Sequence, residues 1–333
     1  MENEHLDIDK FTFYDDSIVT SRQVLISHKS TIERNNRIKQ INNKKYLGFL
    51  TQSGKSTIKK RLTAWLTAIK IYNLSQKNTG NKRKHMPIFV TLTLSGLQKD
   101  NDKVLKRKLL EPFLKQLRYN NLYTHHFWKA ERQKNDNIHF HIVFDKYIDK
   151  KELQKRWNSV QKKNGYLDLF EIKFNHLDAP STHVKGISNM NRATNYVLKY
   201  VQKEKNETAI DGRVYTFSKC LALIKPFSII DKYSSVNTIN NFIENLSYNC
   251  YTSDFFCVDK VSENNYFQNL PVDIYSDYIS YYLNLYKILY PDTTNNEILN
   301  AYLKLLKKRS PPEGELRFLL NYILSIYYIY ERG

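Results

Sequence analysis

The chain has 333 residues, 41% hydrophobic and 14% aromatic, enough for packed cores and too apolar for a disordered segment. Its formal net charge of +19 implies an anionic partner, nucleic acid first, and the excess lies almost entirely before about residue 233. The three cysteines, Cys220, Cys250 and Cys257, lack CxxC spacing, so the pattern indicates neither a disulfide framework nor a thiolate zinc site and fits a reducing cytoplasm.

The opening "MENEHLDIDKFTFYDD" is acidic and has no uninterrupted apolar stretch, unlike a secretory signal. Residues 55–74 read as a basic amphipathic helix, with Leu62, Trp65, Leu66, Ile69 and Tyr72 at helical spacing. Gly54-Lys55-Ser56-Thr57 resembles the end of a phosphate loop, but five residues separate Gly48 from Gly54 where that loop needs four. ATP or GTP binding is therefore not expected there.

A linker, "SQKNTGNKRKHMP", precedes the strand "IFVTLTLSG", in which Val90, Leu92 and Leu94 alternate with Thr91, Thr93 and Ser95. Residues 101–119 show a helix pattern. "YTHHFWKAER" and "NIHFHIVFD" read as second and third strands, and "DKKELQKRWNSVQKK" as a helix capped by Asp149. "YLDLFEIKF" reads as a fourth strand and "STHVKGIS" as a fifth, before the helix "MNRATNYVLKYVQKEK". "GRVYTFSKCLALIKP" closes this region, with Tyr215 and Lys219 as candidates to approach a nucleic acid.

The tyrosine-rich "DIYSDYISYYLNLYKILY" and the apolar "FLLNYILSIYYIY" read as helices that pack internally. The second is too short to cross a bilayer and carries Asn321 and Ser325, so no membrane association is expected. The expected organisation is a basic helical N-terminal region (1–80), a central domain (81–232) and a helical C-terminal domain (233–333).

Two constellations carry chemistry. On the third strand, Ile138, Phe140, Ile142 and Phe144 fall on one face, and His139, His141, Val143 and Asp145 on the other. A hairpin turn centred on Asn135 would pair residues whose numbers sum to 270, placing Glu131 opposite His139 and on the same face. Two imidazoles and a carboxylate, with positions left open to water and substrate, suit a divalent metal. Glu131 paired with Arg132 or Lys129 on a half-exposed strand is the plainer alternative. His125 and His126 point to opposite faces, and structural or surface roles are expected for both.

In the second constellation, Tyr196, Lys199, Tyr200 and Lys203 follow the i, i+3, i+4, i+7 rule and share a helix face. An ordinary amphipathic helix with boundary tyrosines has the same pattern. Phosphoryl transfer to tyrosine nevertheless uses this equipment: a phenol nucleophile, cations that favour its ionised form, and a metal that withdraws charge from the phosphate.

"FVTLTLS", "HFH" and "ATNYVLKYVQK" together resemble the HUH endonucleases, and among them the two-tyrosine rolling-circle replication initiators of small single-stranded DNA bacteriophages and plasmids, over roughly residues 87–220. The resemblance implies an α+β fold with a central antiparallel sheet of ferredoxin-like or RNA-recognition-motif topology. It implies His139 and His141 as metal ligands with Glu131 as the third, Mg²⁺ or Mn²⁺ as cofactor, Tyr196 as first nucleophile and Tyr200 as second. Lys199 and Lys203 would support the phenolates or contact phosphates, while Thr91 and Thr93 receive no role beyond strand packing. The implied partner is single-stranded origin DNA, with or without a hairpin, in a bacterial host cytoplasm. A host helicase would unwind and a host DNA polymerase would extend.

The alternatives are a single-strand transposase or a conjugative relaxase, and a basic nucleic-acid-binding protein without catalysis. The order of histidines before tyrosines argues against a relaxase.

Overall fold

The computed structural model describes residues 7–14, 17–24, 48–76, 85–187, 193–202, 209–230, 239, 242–245, 247–253, 256–261 and 269–308. In chain order the main elements are β1 (Asp7–Phe13), β2 (Ser17–Val24), α1 (Gln52–Ser75) and β3 (Ile88–Leu92). The helical stretch 102–119, α2, runs through Asp102–Leu105, a π-helical turn Lys106–Leu110 and Glu111–Tyr119. Then come β4 (His126–Arg132), β5 (Ile138–Phe144), α3 (Lys150–Lys163), α4 (Asp168–Phe174), β6 (Thr182–Gly186) and α5 (Ala193–Gln202). The chain continues through β7 (Tyr215–Phe217), β8 (Ser228–Ile230), β9 (Ser247–Ser253), β10 (Phe256–Val261), α6 (Val272–Leu289) and α7 (Asn295–Lys307).

The fold is α+β, with two antiparallel five-stranded sheets. The first has the order β6-β3-β5-β4-β7. Its first four strands in sequence, with α2 and α3 between them, make the β-α-β-β-α-β unit of ferredoxin-like folds. Both crossover helices lie on one face. Phe140 meets the Trp157 ring at 6.4 Å and Trp157 meets Phe113 at 5.5 Å, all three fully buried. The other face is not half-exposed, as strand alternation alone suggested: Val143 and Asp145 are buried, and His141 is 6% exposed. Helix α1 covers part of it, with Arg61 over the Phe217 ring at 5.4 Å and Gly54 so close that a Cβ there would lie 3.4 Å from Tyr215.

Local signals explain most helix starts. Thr51 caps α1 by accepting from Gly54 N at 3.1 Å, so the GKST stretch is an ordinary first helical turn. Asp149 caps α3 through Lys151 N at 2.8 Å and Glu152 N at 3.4 Å. Residues 166–174 correct the expected fourth strand. Asp168–Phe174 is a helix, with the Phe170 and Phe174 rings in tilted contact one turn apart at 4.6 Å and Asn175 ending it at φ 54°. None of its residues is buried and it pairs with no strand, so its backbone groups find partners within the helix.

The second sheet, β8-β1-β2-β10-β9, was not anticipated at the N-terminus, where residues 7–24 form a hairpin and the helical reading holds for Gln52–Ser75. Its strands come from residues 7–24 and from residues 228–261: β1 pairs with β8 and β2 with β10. It packs on α6 through Phe13, Phe227 and Tyr278. Helix α6 in turn joins α1, where Tyr72 stacks on Tyr286 at 3.9 Å and Trp65 Nε1 donates to Tyr290 Oη at 3.1 Å. Tyr275, Tyr278, Tyr282 and Tyr286 of α6 are therefore core, and Tyr281 is partly buried against it. The expected C-terminal helix at 318–330 lies outside the described residues, and among those described no helix is long and apolar enough to cross a membrane.

The two adjacent histidines take structural places. His125 Nε2 meets Leu289 O at 2.7 Å, tying the first sheet to α6, and His126 Nδ1 meets Ser218 Oγ at 3.0 Å. Burial, with smaller contributions from Arg118 and His125, pushes His126 down to about 3. A depressed base destabilises the fold as pH falls, because the unfolded chain takes up its proton near pH 6.5 and the folded chain only near 3. Between these values the unfolding free energy should fall by up to about 1.4 kcal/mol per pH unit from this group. In His126→Asn the slope of stability against pH, measured by urea unfolding from pH 6 to 4, should be shallower by about one proton. Equal slopes in the two proteins would show that His126 is not held neutral.

Candidate metal centre and its sheet face

Strand pairing assembles the site. The β4–β5 register sets Glu131 opposite His139 and Lys129 opposite His141, as the sum rule requires, and β3 sets Thr91 on the other side of His141. Glu131 Oε2 lies 3.0 Å from His141 Nε2 and 3.6 Å from His139 Nε2. The two imidazole rings are 4.6 Å apart and edge-on. Candidate ligand atoms of all three residues lie within 4.8 Å of one another. Arg132 is not a partner of Glu131: it faces the other way and pairs with the buried Asp102 at 2.6 Å. The half-exposed strand with a surface carboxylate pair is thereby replaced by a closed polar triad.

The electrostatics suit a cation. Burial acts to raise the Glu131 carboxyl, but contacts with His139 and His141 and the charge of Lys129 outweigh it and bring the group down to about 2. Burial pushes His141 below the ordinary imidazole range, only partly opposed by Glu131. Glu131 is thus ionised and His141 neutral near pH 7, the states a metal ligand needs. His139 Nε2 is buried with no hydrogen-bond partner, since 3.6 Å is too long for one. An orphaned imidazole nitrogen beside an ionised carboxylate and a second imidazole fits a divalent ion, and soft-ligand metals have no thiolate in this group.

Two neighbours were missed. Thr91, given only a packing role from sequence, places Oγ1 3.1 Å from His141 Nδ1. Nε2, 3.0 Å from the ionised Glu131 carboxylate, is the donor here and Nδ1 accepts from the Thr91 hydroxyl; with an ion on Nε2 the proton would sit on Nδ1 and be donated to Thr91, so the contact holds the ring in either tautomer. Phe89 holds the same ring by stacking at 5.3 Å. Lys129, 2% exposed, is a buried cation on the triad's face. The register that paired Glu131 with His139 also pairs Lys129 with His141, so that signal was available in the sequence.

The tyrosine helix forms where expected, as Ala193–Gln202, and packs against α1. Thr194, Val197 and Leu198 are buried while Lys199 is exposed. The side chains of Tyr196 and Tyr200, and all of Lys203, lie outside the described residues. Spacing did not report that β9 and β10 bring the free thiols of Cys250 and Cys257 together, Sγ to Sγ at 2.7 Å, with Asp259 Oδ2 3.4 Å from the latter. This cluster sits in the second sheet, apart from the triad.

Residues 87–205 match the family of replication-associated proteins described by the name ORF2. The matched segment runs from the start of β3 through α5 and contains Thr91, Lys129, Glu131, His139, His141, Tyr196 and Tyr200. It supports a replication-initiator role, with DNA binding, for this part of the chain. No curated protein matches the chain.

If Thr91 holds the His141 ring for an ion on Nε2, Thr91→Val should leave the strand intact and weaken Mn²⁺ binding about 10- to 100-fold by calorimetry, with Thr91→Ser recovering most of it. Unchanged affinity in Thr91→Val would remove Thr91 from the site.

Proposed function

We propose that this protein initiates rolling-circle DNA replication by nicking a single strand at its origin through tyrosine transesterification. The observation that carries the proposal is the Glu131–His139–His141 triad, with His141 buried, the other two partly so and the His139 Nε2 nitrogen orphaned, inside the segment similar to replication-associated proteins. In this reading Glu131, His139 and His141 hold Mg²⁺ or Mn²⁺. When bound, such an ion polarises the scissile phosphate and offsets its developing charge.

The chain's own groups supply the rest. Tyr196, as phenolate, attacks the phosphorus in line; a Tyr196 oxygen–phosphorus bond forms, the bond to the 3′ oxygen breaks, and that oxygen leaves as a hydroxyl after taking a proton. The 5′ end stays on the protein as a phosphotyrosine. A phenol leaves more readily than an alcohol, so a later 3′-hydroxyl can reverse the step and reseal the strand without ATP. Tyr200, one turn along α5, is the second nucleophile for the junction regenerated by synthesis. Lys199 and Lys203 favour the ionised phenols, and Lys129 adds fixed positive charge on the triad's face. A single-strand transposase or relaxase would share this chemistry, and neither is favoured by a feature of the structure.

The test is covalent capture of labelled single-stranded origin DNA with Mn²⁺ or EDTA, read on a denaturing gel. A metal-dependent adduct should form, vanish in the Tyr196→Phe/Tyr200→Phe double variant, and fall about a hundredfold or more in His139→Ala, the equivalent of several kcal/mol of transition-state stabilisation. Tight DNA binding without an adduct under any metal condition would instead make the protein a non-catalytic binder.

A further inference from the structure

A groove of about 570 Å³ lies on the sheet face opposite the triad, where β4 and the short edge strand β7 meet α2. His126, Trp128 and Thr216 form its floor. One stripe of α2, with Lys106, Leu114, Lys115 and Arg118, forms a wall, and Gly212 and Arg213 close the far side.

Five cations line it against one carboxylate, Glu111. Two of the five are spent on architecture. Lys106 Nζ donates to the carbonyls of Asp211 and Arg213 at 2.7 and 2.8 Å, and Lys103 pairs with Asp211 at 3.0 Å, so both fasten the loop before β7 to α2. The other three, Lys115, Arg118 and Arg213, are exposed and form no salt bridge among the described residues. Arg118 is held over the Tyr123 ring at 5.7 Å. Three cations outside any salt bridge, against a single carboxylate, along a preformed groove make an anion track.

We infer that this groove grips the phosphodiester backbone of duplex DNA flanking the strand engaged at the triad. The inference rests on the replication-initiator reading. Duplex is favoured over single strand because the rings lining the groove, Tyr123 and Trp128, are 4% and 7% exposed and give unpaired bases nothing to stack on. Contact is therefore to phosphates, independent of sequence. The position suits a flank: Val214 O accepts from Ala130 N at 2.7 Å, one residue from Glu131, while Tyr215 and Thr216 face opposite sides of the edge strand. One narrow strand separates the two surfaces.

The test compares wild type with Lys115→Gln/Arg118→Gln/Arg213→Gln, and with a control removing the same charge elsewhere, Lys155→Gln/Lys304→Gln/Lys307→Gln. Binding to a hairpin duplex and to an unpaired oligonucleotide is followed by fluorescence anisotropy across a salt series, alongside covalent capture on the unpaired oligonucleotide. For the duplex, the groove variant should lose about 2.7 from the slope of log K against log salt, roughly 0.9 per phosphate contact, and at least about tenfold in affinity. The control should lose far less, and capture should be unchanged in both. Wild-type slope and duplex affinity in the groove variant would overturn the inference, as would losses equal to the control's. Equal losses on duplex and unpaired DNA would overturn the choice of duplex. If wild type gives no adduct yet the groove variant alone loses duplex slope, the nicking reading fails and the groove stands.

Discussion

The register of the β4–β5 hairpin is the constraint on which the site depends. A slip of one residue would send His139 and His141 to the face of Phe140 and Trp157 and leave Glu131 without either imidazole. Polar contacts at the hairpin's turn end hold the register. Arg132 pairs with buried Asp102, which also accepts from Asp211 N at 2.8 Å, fastening β4 to α2 and to the loop before β7. Ile138 N donates to Gln98 Oε1 at 2.8 Å and Asn137 Nδ2 to Gly96 O at 3.0 Å, fastening the start of β5 to the chain leaving β3.

The two faces of this sheet solve different problems. The crossover-helix face is an apolar core of Phe113, Phe140 and Trp157, where burial of about 25 cal/mol per Å² of apolar surface favours folding. The triad face buries charge, which is costly unless every group has a partner. Here an ionised carboxylate lies between two imidazoles, Thr91 takes the outer nitrogen of one, and Lys129 stands next in the row. His139 Nε2 is the exception, and an unpaired buried nitrogen beside a carboxylate is stored binding capacity for a cation.

Much of this was legible beforehand. The strands around the histidines, the Asp149 cap, the tyrosine helix and the Glu131–His139 pairing follow from period, capping chemistry and hairpin arithmetic, all local. The failures are equally physical. "YLDLFEIKF" alternates well enough to pass for a strand, yet no sheet edge among the described residues receives it, and the contact of Phe170 with Phe174 one turn on belongs to a helix. The hairpin at 7–24 is stabilised by β8 and β10, more than two hundred residues away, and no local pattern reports such a partner. Spacing likewise says nothing of Cys250 and Cys257, which meet only because their strands pair.

By itself the sequence determined the local elements of the central domain, which residue types share a strand or helix face, and an excess of positive charge calling for an anionic partner. These follow from backbone periodicity and summed charge, which need no knowledge of distant contacts. Only the tertiary structure decided that the histidine face is covered rather than half-exposed, that Thr91 orients His141, that the terminal regions share a second sheet, and that Lys115, Arg118 and Arg213 line one groove on the back of the first. Each of those depends on which surfaces the chain brings together across long separations in sequence, where burial and pairing are settled by the whole fold.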